Sequence, residues 1–302
     1  MISPLPLAIE NGVAVLTLEQ PGKPVVVLDH ELIQRLDTAL RGLRSHAQWS
    51  SITGLVLASA SERVFVAGAD LNAIQALDDA ALHTYLAYAS DVFALISNFP
   101  FPTAAAINGA ALGGGLELAM HCDALIGAPT PVRDGQPKPY PIGLPEAGLS
   151  ICPGWGGTCL LPARISPADA IRRTAAGKPM TSDEAIAAGL FDAVAPSGAE
   201  LLATAKEWVR ARAAAGRIER DGAPLRHVGR AAFAKAAIPA FDSVRGEIIA
   251  TEPGRAVAEA VNAGLSRGWK ACLEVEQREL VRLRHTPAGR EAIAAFFAKS
   301  KK

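Results

Sequence analysis

The chain has 302 residues, half of them apolar, with 30 Lys and Arg against 30 Asp and Glu. That length and apolar content support one large core, or a core with an appendage, and exclude a disordered chain. A formal charge of zero leaves no global basic field, so nucleic acid and anionic membranes are not expected partners. Leu5 to Glu10 and Val13 to Glu19 read as two strands around an Asn11-Gly12 turn, a strong hairpin signal. Glu31 to Leu43 is an amphipathic helix with Leu32, Leu36, Leu40 and Leu43 on one face. Gly54 to Ala58 and Val64 to Val66 are short strands, the second running into the small-residue turn Ala67-Gly68-Ala69-Asp70. A helix over about Asp78 to Ser97 ends at Asn98-Phe99-Pro100. Thr103 to Ile107 is a buried strand, three glycines (Gly113 to Gly115) turn the chain, and a helix begins with Leu116, Leu118, Ala119 and Met120. Asp123 to Ala128 is a further strand.

Strands alternating with helices imply parallel strands covered by helices, with right-handed crossovers. Pro129 to Pro141 holds five prolines with Arg133, Asp134 and Lys138 between them, which predicts an extended exposed loop. Pro153-Gly154-Trp155-Gly156-Gly157-Thr158 is another Gly-rich turn opening a helix. Pro167 to Ala176 and Ser182 to Ala188 are helices, the second starting at Ser182 and stopping at Gly189. Phe191 to Ala195 is a last short strand. Beyond Gly198 the periodicity is helical, over Leu201 to Ala215, Arg255 to Leu265, Trp269 to Leu283 and Pro287 to Lys299. The expected organisation is a core over 1–197 and a helical region over 198–302, whose apolar faces need this core or a neighbouring subunit.

No uninterrupted apolar run is long enough to span a bilayer, the richest region being broken by Asn108 and Glu117. Met1 to Glu10 lacks a basic stretch followed by an apolar core, so no secretory leader is expected. Cys122, Cys152, Cys159 and Cys272 form no C-x-x-C pair and have no histidine at ligand spacing. Zinc is therefore not expected, and buried free thiols in a reducing cytoplasm are. His121 and Cys122 are adjacent, but neighbouring residues rarely face the same way, so a structural role is expected for both.

Ile107 to Met120 is the stretch the rest is organised around. Glycines at a strand-to-helix turn let a backbone approach a ligand and leave amides free, and those amides favour an anion or a developing oxyanion. They are consecutive, not spaced as the dinucleotide-binding G-x-G-x-x-G. Glu117 sits just inside the helix among apolar neighbours, where burial would raise its pKa and suit it to acid or base work. The same features also serve plain tight packing and helix-dipole complement. Val66 to Asp70 and Leu112 to Gly115 both leave the carboxyl ends of strands, so amides from two turns could converge on one oxygen.

Phe65-Val66-Ala67-Gly68-Ala69-Asp70-Leu71, then Ala106 to Ala119, then Leu144-Pro145-Glu146 with Pro153 to Thr158, resemble the crotonase (enoyl-CoA hydratase/isomerase) family. The likeness runs from Asn11 to about Pro196 and returns weakly over Thr286 to Lys302. Asp70-Leu71-Asn72 and Gly143 to Glu146 are most similar to the hydratase part of multifunctional fatty-acid oxidation proteins, though the chain is too short to carry their dehydrogenase part as well. The resemblance implies an α/β fold, a spiral of ββα turns with a C-terminal helical region, assembled as trimers or dimers of trimers. It implies an oxyanion hole from the amides of Ala69 and Gly114, and a catalytic pair, Glu117 and Glu146, for adding water to a 2-enoyl-CoA in β-oxidation. The acyl-CoA is the substrate, and no metal or redox cofactor is implied. Contacts to the thioester and coenzyme A would come from Lys23, Pro24 and Val26, from Ala67 and Ala69 to Asn72, from Gly113 and Gly114, and from Phe297. The family's C-terminal lysine position matches Ser300, between Lys299 and Lys301. Two departures stand out. The proline-rich insertion could cap the acyl pocket, contact a partner or merely protrude, and Cys152 and Trp155 lie where smaller residues are common. The alternative reactions are Δ3-Δ2-enoyl-CoA isomerisation, which needs one glutamate, and a non-catalytic or RNA-binding role with a basic patch at Arg210, Arg212, Arg217 and Arg220.

Overall fold

The computed structural model describes residues 3–216 and 218–300. Arg217 and Lys301 lie outside them, as do the side chains of Lys299 and Ser300, so the expected C-terminal coenzyme A lysine does too. The chain opens on an antiparallel hairpin, β1 (Leu7–Glu10) and β2 (Val13–Leu18). Asn11 and Gly12 take φ of 49° and 78°, the left-handed pair that an Asn-Gly turn supplies. Helix α1 (His30–Arg44) follows, capped by Asp29, whose Oδ1 accepts from the Leu32 amide at 2.8 Å. β3 (Gly54–Ser59) then pairs parallel with β2.

From there the chain alternates between two sheets. β4 (Val64–Val66) goes to the second sheet, and α2 (Leu71–Ala76) and α3 (Asp79–Ser97) bring the chain back to β5 (Thr103–Ile107) in the first. β6 (Ala110–Leu112) joins the second sheet, and α4 (Gly114–Met120) leads to β7 (Ala124–Gly127) in the first. A separate ribbon of β8 (Val132–Arg133) and β9 (Gln136–Pro137) precedes β10 (Pro141–Gly143) in the second. α5 (Gly157–Leu160), α6 (Pro167–Ala176), β11 (Met180–Thr181), α7 (Ser182–Ala187) and β12 (Ala193–Val194) complete the core. The sheets run β1-β2-β3-β5-β7-β12 and β11-β10-β6-β4. Each ββα turn gives one strand to each sheet, which is the expected spiral.

The inner strands of the first sheet, β2, β3, β5 and β7, are buried on both faces, which explains why they read as apolar runs without alternation. Leu16, Leu55, Leu57, Ala105, Ile107 and Leu125 face the main core. Val15, Val56, Ala104, Ala106 and Ile126 face outward and are covered by Leu201, Ala205 and Val209 of α8 (Leu201–Ala214). α9 (Ala231–Ile248), α10 (Glu252–Arg267), α11 (Trp269–Leu283) and α12 (Pro287–Ser300) follow, with α9 and α10 on α6, α11 on α3 and α5, and α12 against the turn Glu146–Leu149. The apolar faces of the 198–302 region are thus met by the core of the same chain. Among the described residues no helix is long and apolar enough to cross a membrane.

Several expectations are corrected. The proline-rich segment is not simply an extended loop: Asp134 and Gly135 take φ of 52° and 70° and close the β8–β9 hairpin. An Asp-Gly pair was its sequence signal. The ribbon's base is tied down by Thr130, bonded to the Ser182 hydroxyl and Asp183 at 2.5 Å each, and by the Tyr140 hydroxyl on the Ala128 carbonyl at 2.7 Å. α7 is capped by Thr181 rather than Ser182, in a reciprocal box with Glu184. Two helices were not anticipated, α2, which is only six residues long, and α9, whose periodicity Pro239 interrupts. Cys159 and Cys272 are joined as a disulfide, so only Cys122 and Cys152 are the buried free thiols expected of all four. Arg220 turns inward onto Asp123 and does not extend a basic patch.

Candidate active site

β6 and α4 form the central turn. Gly113 caps α4 at φ 51° and ψ −128°, and helix begins at Gly114, not after the third glycine. A Cβ on Gly113 would lie 2.5 Å from the Glu146 Oε1, and one on Gly114 would strike the Trp155 ring. The backbone can therefore approach a ligand here only because both residues lack side chains. Gly113→Ala should displace Glu146 as well as strain φ; we expect at least a tenfold loss of turnover, roughly 1.4 kcal/mol, with the protein still folded by circular dichroism. Unchanged turnover would contradict this packing.

A cavity of about 730 Å³ opens over this turn. Ala67, Ala69, Asp70, Leu71 and Asn72 line one wall, and Gly113, Gly114, Glu117 and Glu146 line another. Phe297 comes from α12. The Ala69 and Gly114 amides find no hydrogen-bond acceptor among the described residues. For Gly114 the reason is its place as first residue of a helix. Asp70 has a second duty, accepting the Asn72 amide at 2.9 Å to cap α2.

The other predicted contacts fall elsewhere. Val26 is buried in the core, and its neighbours Val25 and Val27 line the cavity instead, as strand-like alternation dictates. Lys23 and Pro24 line an adjoining cleft of about 800 Å³ that shares Val25 with the cavity. The Lys23 ammonium rests on Asp29 at 2.5 Å. No residue of the proline-rich ribbon lines the cavity.

Glu117 is 1% exposed, and its Oε1 accepts the amides of Trp155 and Gly157, both at 2.8 Å. Its Oε2 takes no hydrogen bond from the described residues. Burial, then the negative charges of Glu276 and Glu146, push its pKa well above the usual carboxylate range, against the pull of the two amides. Glu146 is pushed up chiefly by burial, and its buried Oε2 has no partner among the described residues. Glu117, Glu146 and the neighbouring Glu276 are close enough to titrate together, and hydrogen-bond donors favour the charged form of whichever carboxyl they reach. Glu276 has three donors and Glu117 two, whereas Glu146 has its own backbone amide and an Oε2 without a partner among the described residues.

Trp155 is buried edge-on against Tyr85 and Phe93, its indole N–H donating to the Leu86 carbonyl at 3.1 Å. It backs the central turn and forms part of the cavity wall. His121 accepts no role in this chemistry: burial drops its pKa to about 4, and Nδ1 sits 2.9 Å from the Glu117 carbonyl. Cys122 is buried with its thiol pushed up. The sequence reading missed Glu276, although its place on the buried stripe of α11, between Cys272 and Leu280 at steps of four, was a usable signal.

The enoyl-CoA hydratase/isomerase family pattern matches residues 8–223. The chain belongs to that family. It is 30% identical over 300 residues to the fatty acid oxidation complex subunit alpha of Idiomarina loihiensis, and 31% identical over 309 residues to that of Shewanella amazonensis. In each case 96% of this chain is covered, but only 40% of the relative's length. Among solved structures it is similar to an enoyl-CoA hydratase from Bacillus halodurans, with a TM-score of 0.67 at 22% identity over 97% of this chain and 100% of that one. An enoyl-CoA hydratase from Bacillus anthracis gives 0.60 at 24% identity over 98% and 97%. At that identity the likeness establishes the crotonase fold.

Proposed function

We propose that this family member is an enzyme that adds water across the 2,3-double bond of a 2-enoyl-CoA, giving a 3-hydroxyacyl-CoA. The observation that carries the reading is the meeting of two buried carboxyls, Glu117 and Glu146, with two unpartnered amides, Ala69 and Gly114, in one cavity. The thioester oxygen lies between the two amides. Water, hydrogen-bonded to the Glu117 Oε2, loses a proton to that carboxylate as its oxygen bonds to C3. The C2–C3 π electrons move toward the thioester, and the charge arriving on its oxygen is held by the amides. Donors of this kind are each worth about 3–4 kcal/mol in other enzymes. Glu146 then gives its proton to C2, so one water is added and the pair is left with its protons exchanged. The reaction needs no metal or redox cofactor. Homotrimers or dimers of trimers, a cytoplasmic setting and substrates from fatty-acid oxidation belong to the same proposal, the last supported by the names of the relatives.

Crotonyl-CoA with purified protein tests it, through loss of the conjugated enoyl-thioester absorbance. Glu146→Gln should cut hydration about a hundredfold or more, while leaving Kd for the thioester within about threefold, since Glu146 forms no salt bridge that the change would break. Isomerisation needs a single carboxyl. Absent hydration with retained isomerisation of a 3-enoyl-CoA would replace this reading by the isomerase one.

A further inference from the structure

Glu276 is a third carboxyl, buried behind the cavity rather than lining it, and the chemistry above does not use it. It is fully buried on α11, far along the chain from every motif of the core. Its Oε2 accepts the Gly156 amide at 2.5 Å. Its Oε1 accepts the Thr158 amide at 2.8 Å and the Thr158 hydroxyl at 2.6 Å. The amides of Trp155 and Gly157 go to Glu117. Four successive amides are thus divided alternately between two carboxylates. The turn between them has no slack: Gly156 takes φ 101°, and the Trp269 ring, from the first residue of α11, occupies the place where its Cβ would go. One helical turn before Glu276, Cys272 ties α11 to Cys159 through the disulfide.

Resting on the hydration reading, we infer that Glu276 is a positioning residue, which holds the Trp155–Thr158 turn and through it sets the place and the proton affinity of Glu117. Only a carboxylate offers an acceptor oxygen at both ends of the turn, since a neutral Gln would turn its NH2 onto one of the amides; that arrangement is kept although burying a carboxylate without a cation is expensive. The charge adds something a neutral group would not: it makes Glu117 a stronger base by disfavouring its ionised form. The titratable groups around the clamp are Glu117 from α4, Glu146 and the Cys152 thiol from the loops beside it, and the neutral His121 after α4. On α11 itself, Glu279 is held by Arg278 and Arg282. From α10, Glu259 is likewise turned to Arg278, and α3 offers the Ser90 hydroxyl to Gln277. None of these supplies a cation to Glu276.

Glu276→Gln keeps the shape, removes the charge and leaves one acceptor oxygen where there were two. Its expected kcat for crotonyl-CoA falls roughly ten- to hundredfold, with KM changed less than about threefold, and the acid limb of the pH–rate profile moves to lower pH. That direction follows because Glu117, relieved of a neighbouring negative charge, ionises more easily. Turnover within twofold of the parent overturns the inference, and so does a loss with the acid limb unmoved, which marks a merely structural role. Amide hydrogen exchange on the same variant separates this from the hydration reading. Exchange should quicken at Gly156 and Thr158, and at Trp155 and Gly157 as well. If the parent protein does not hydrate crotonyl-CoA, the hydration reading falls. The clamp then stands or falls on whether Trp155 and Gly157 respond, and protection unchanged at those two amides refutes it. Should Glu276→Ala fail to fold, the Gln variant still decides.

Discussion

With hydration as proposed, Glu117→Gln should lower turnover of a 2-enoyl-CoA by about a hundred- to ten-thousandfold, the range ascribed to one general acid or base. The amide side chain keeps an oxygen that can accept from Trp155 and Gly157, as Glu117 Oε1 does at 2.8 Å. The turn and the oxyanion amides therefore stay in place, and what is lost is the ability to take a proton from water. Thioester binding and melting temperature should change little. Measured kcat within tenfold of the parent would remove Glu117 from the mechanism. The pH profile adds a signed test. The parent rate falls as pH drops through the raised pKa of Glu117, because the base becomes protonated. On the alkaline side it falls where Glu146 gives up the proton it must deliver. In Glu117→Gln the acid limb should vanish from whatever activity remains.

Asp123→Ala destabilises the fold by about 3–5 kcal/mol, as breaking one side of a buried ion pair does. Arg220 meets Asp123 with both ends of its fork, at 2.6 and 2.7 Å, and also donates to the carbonyls of Phe99 and Phe101. Asp123 in turn accepts the Thr103 amide at 2.9 Å. The two side chains are only 7% and 5% exposed. Removing the carboxylate leaves a guanidinium buried without its partner and a backbone amide at the start of β5 unsatisfied. Urea denaturation gives the difference directly, and a loss below about 1 kcal/mol would mean that Arg220 finds another partner or escapes to water. The pair matters to the architecture because it fastens the segment after α8 to the starts of β5 and β7, which bracket β6 and α4 in the chain.

Local pattern carried much of the core. The Asn11-Gly12 hairpin, α3 and α6 lie within a residue or two of where turn chemistry, capping and periodicity place them. α11 has the bounds its periodicity predicts, Trp269–Leu283. Elements too short for a period were lost, as with α2 and β6, and so was α9, whose proline breaks the pattern without breaking the helix. The candidate pair was legible for a different reason. Glu117 and Glu146 lie in ordered motifs that resemble a known family, whereas spacing alone leaves each of them as plausible in a cap or on a surface.

By itself the sequence determined the alternation of strands and helices, the small-residue turns at strand ends and the presence of acids in apolar surroundings, because these follow from local backbone freedom and burial preference. It also determined that the chain carries no global charge. Only the tertiary structure decided that Glu276 joins Glu117 across the Trp155–Thr158 turn, that Cys159 meets Cys272 and that Arg220 turns inward. It likewise decided that Val25 and Val27, not Val26, line the cavity. Contacts between residues a hundred positions apart depend on how helices from the end of the chain pack over the spiral. That packing arises from the summed burial of many apolar side chains, and no single stretch of sequence encodes it.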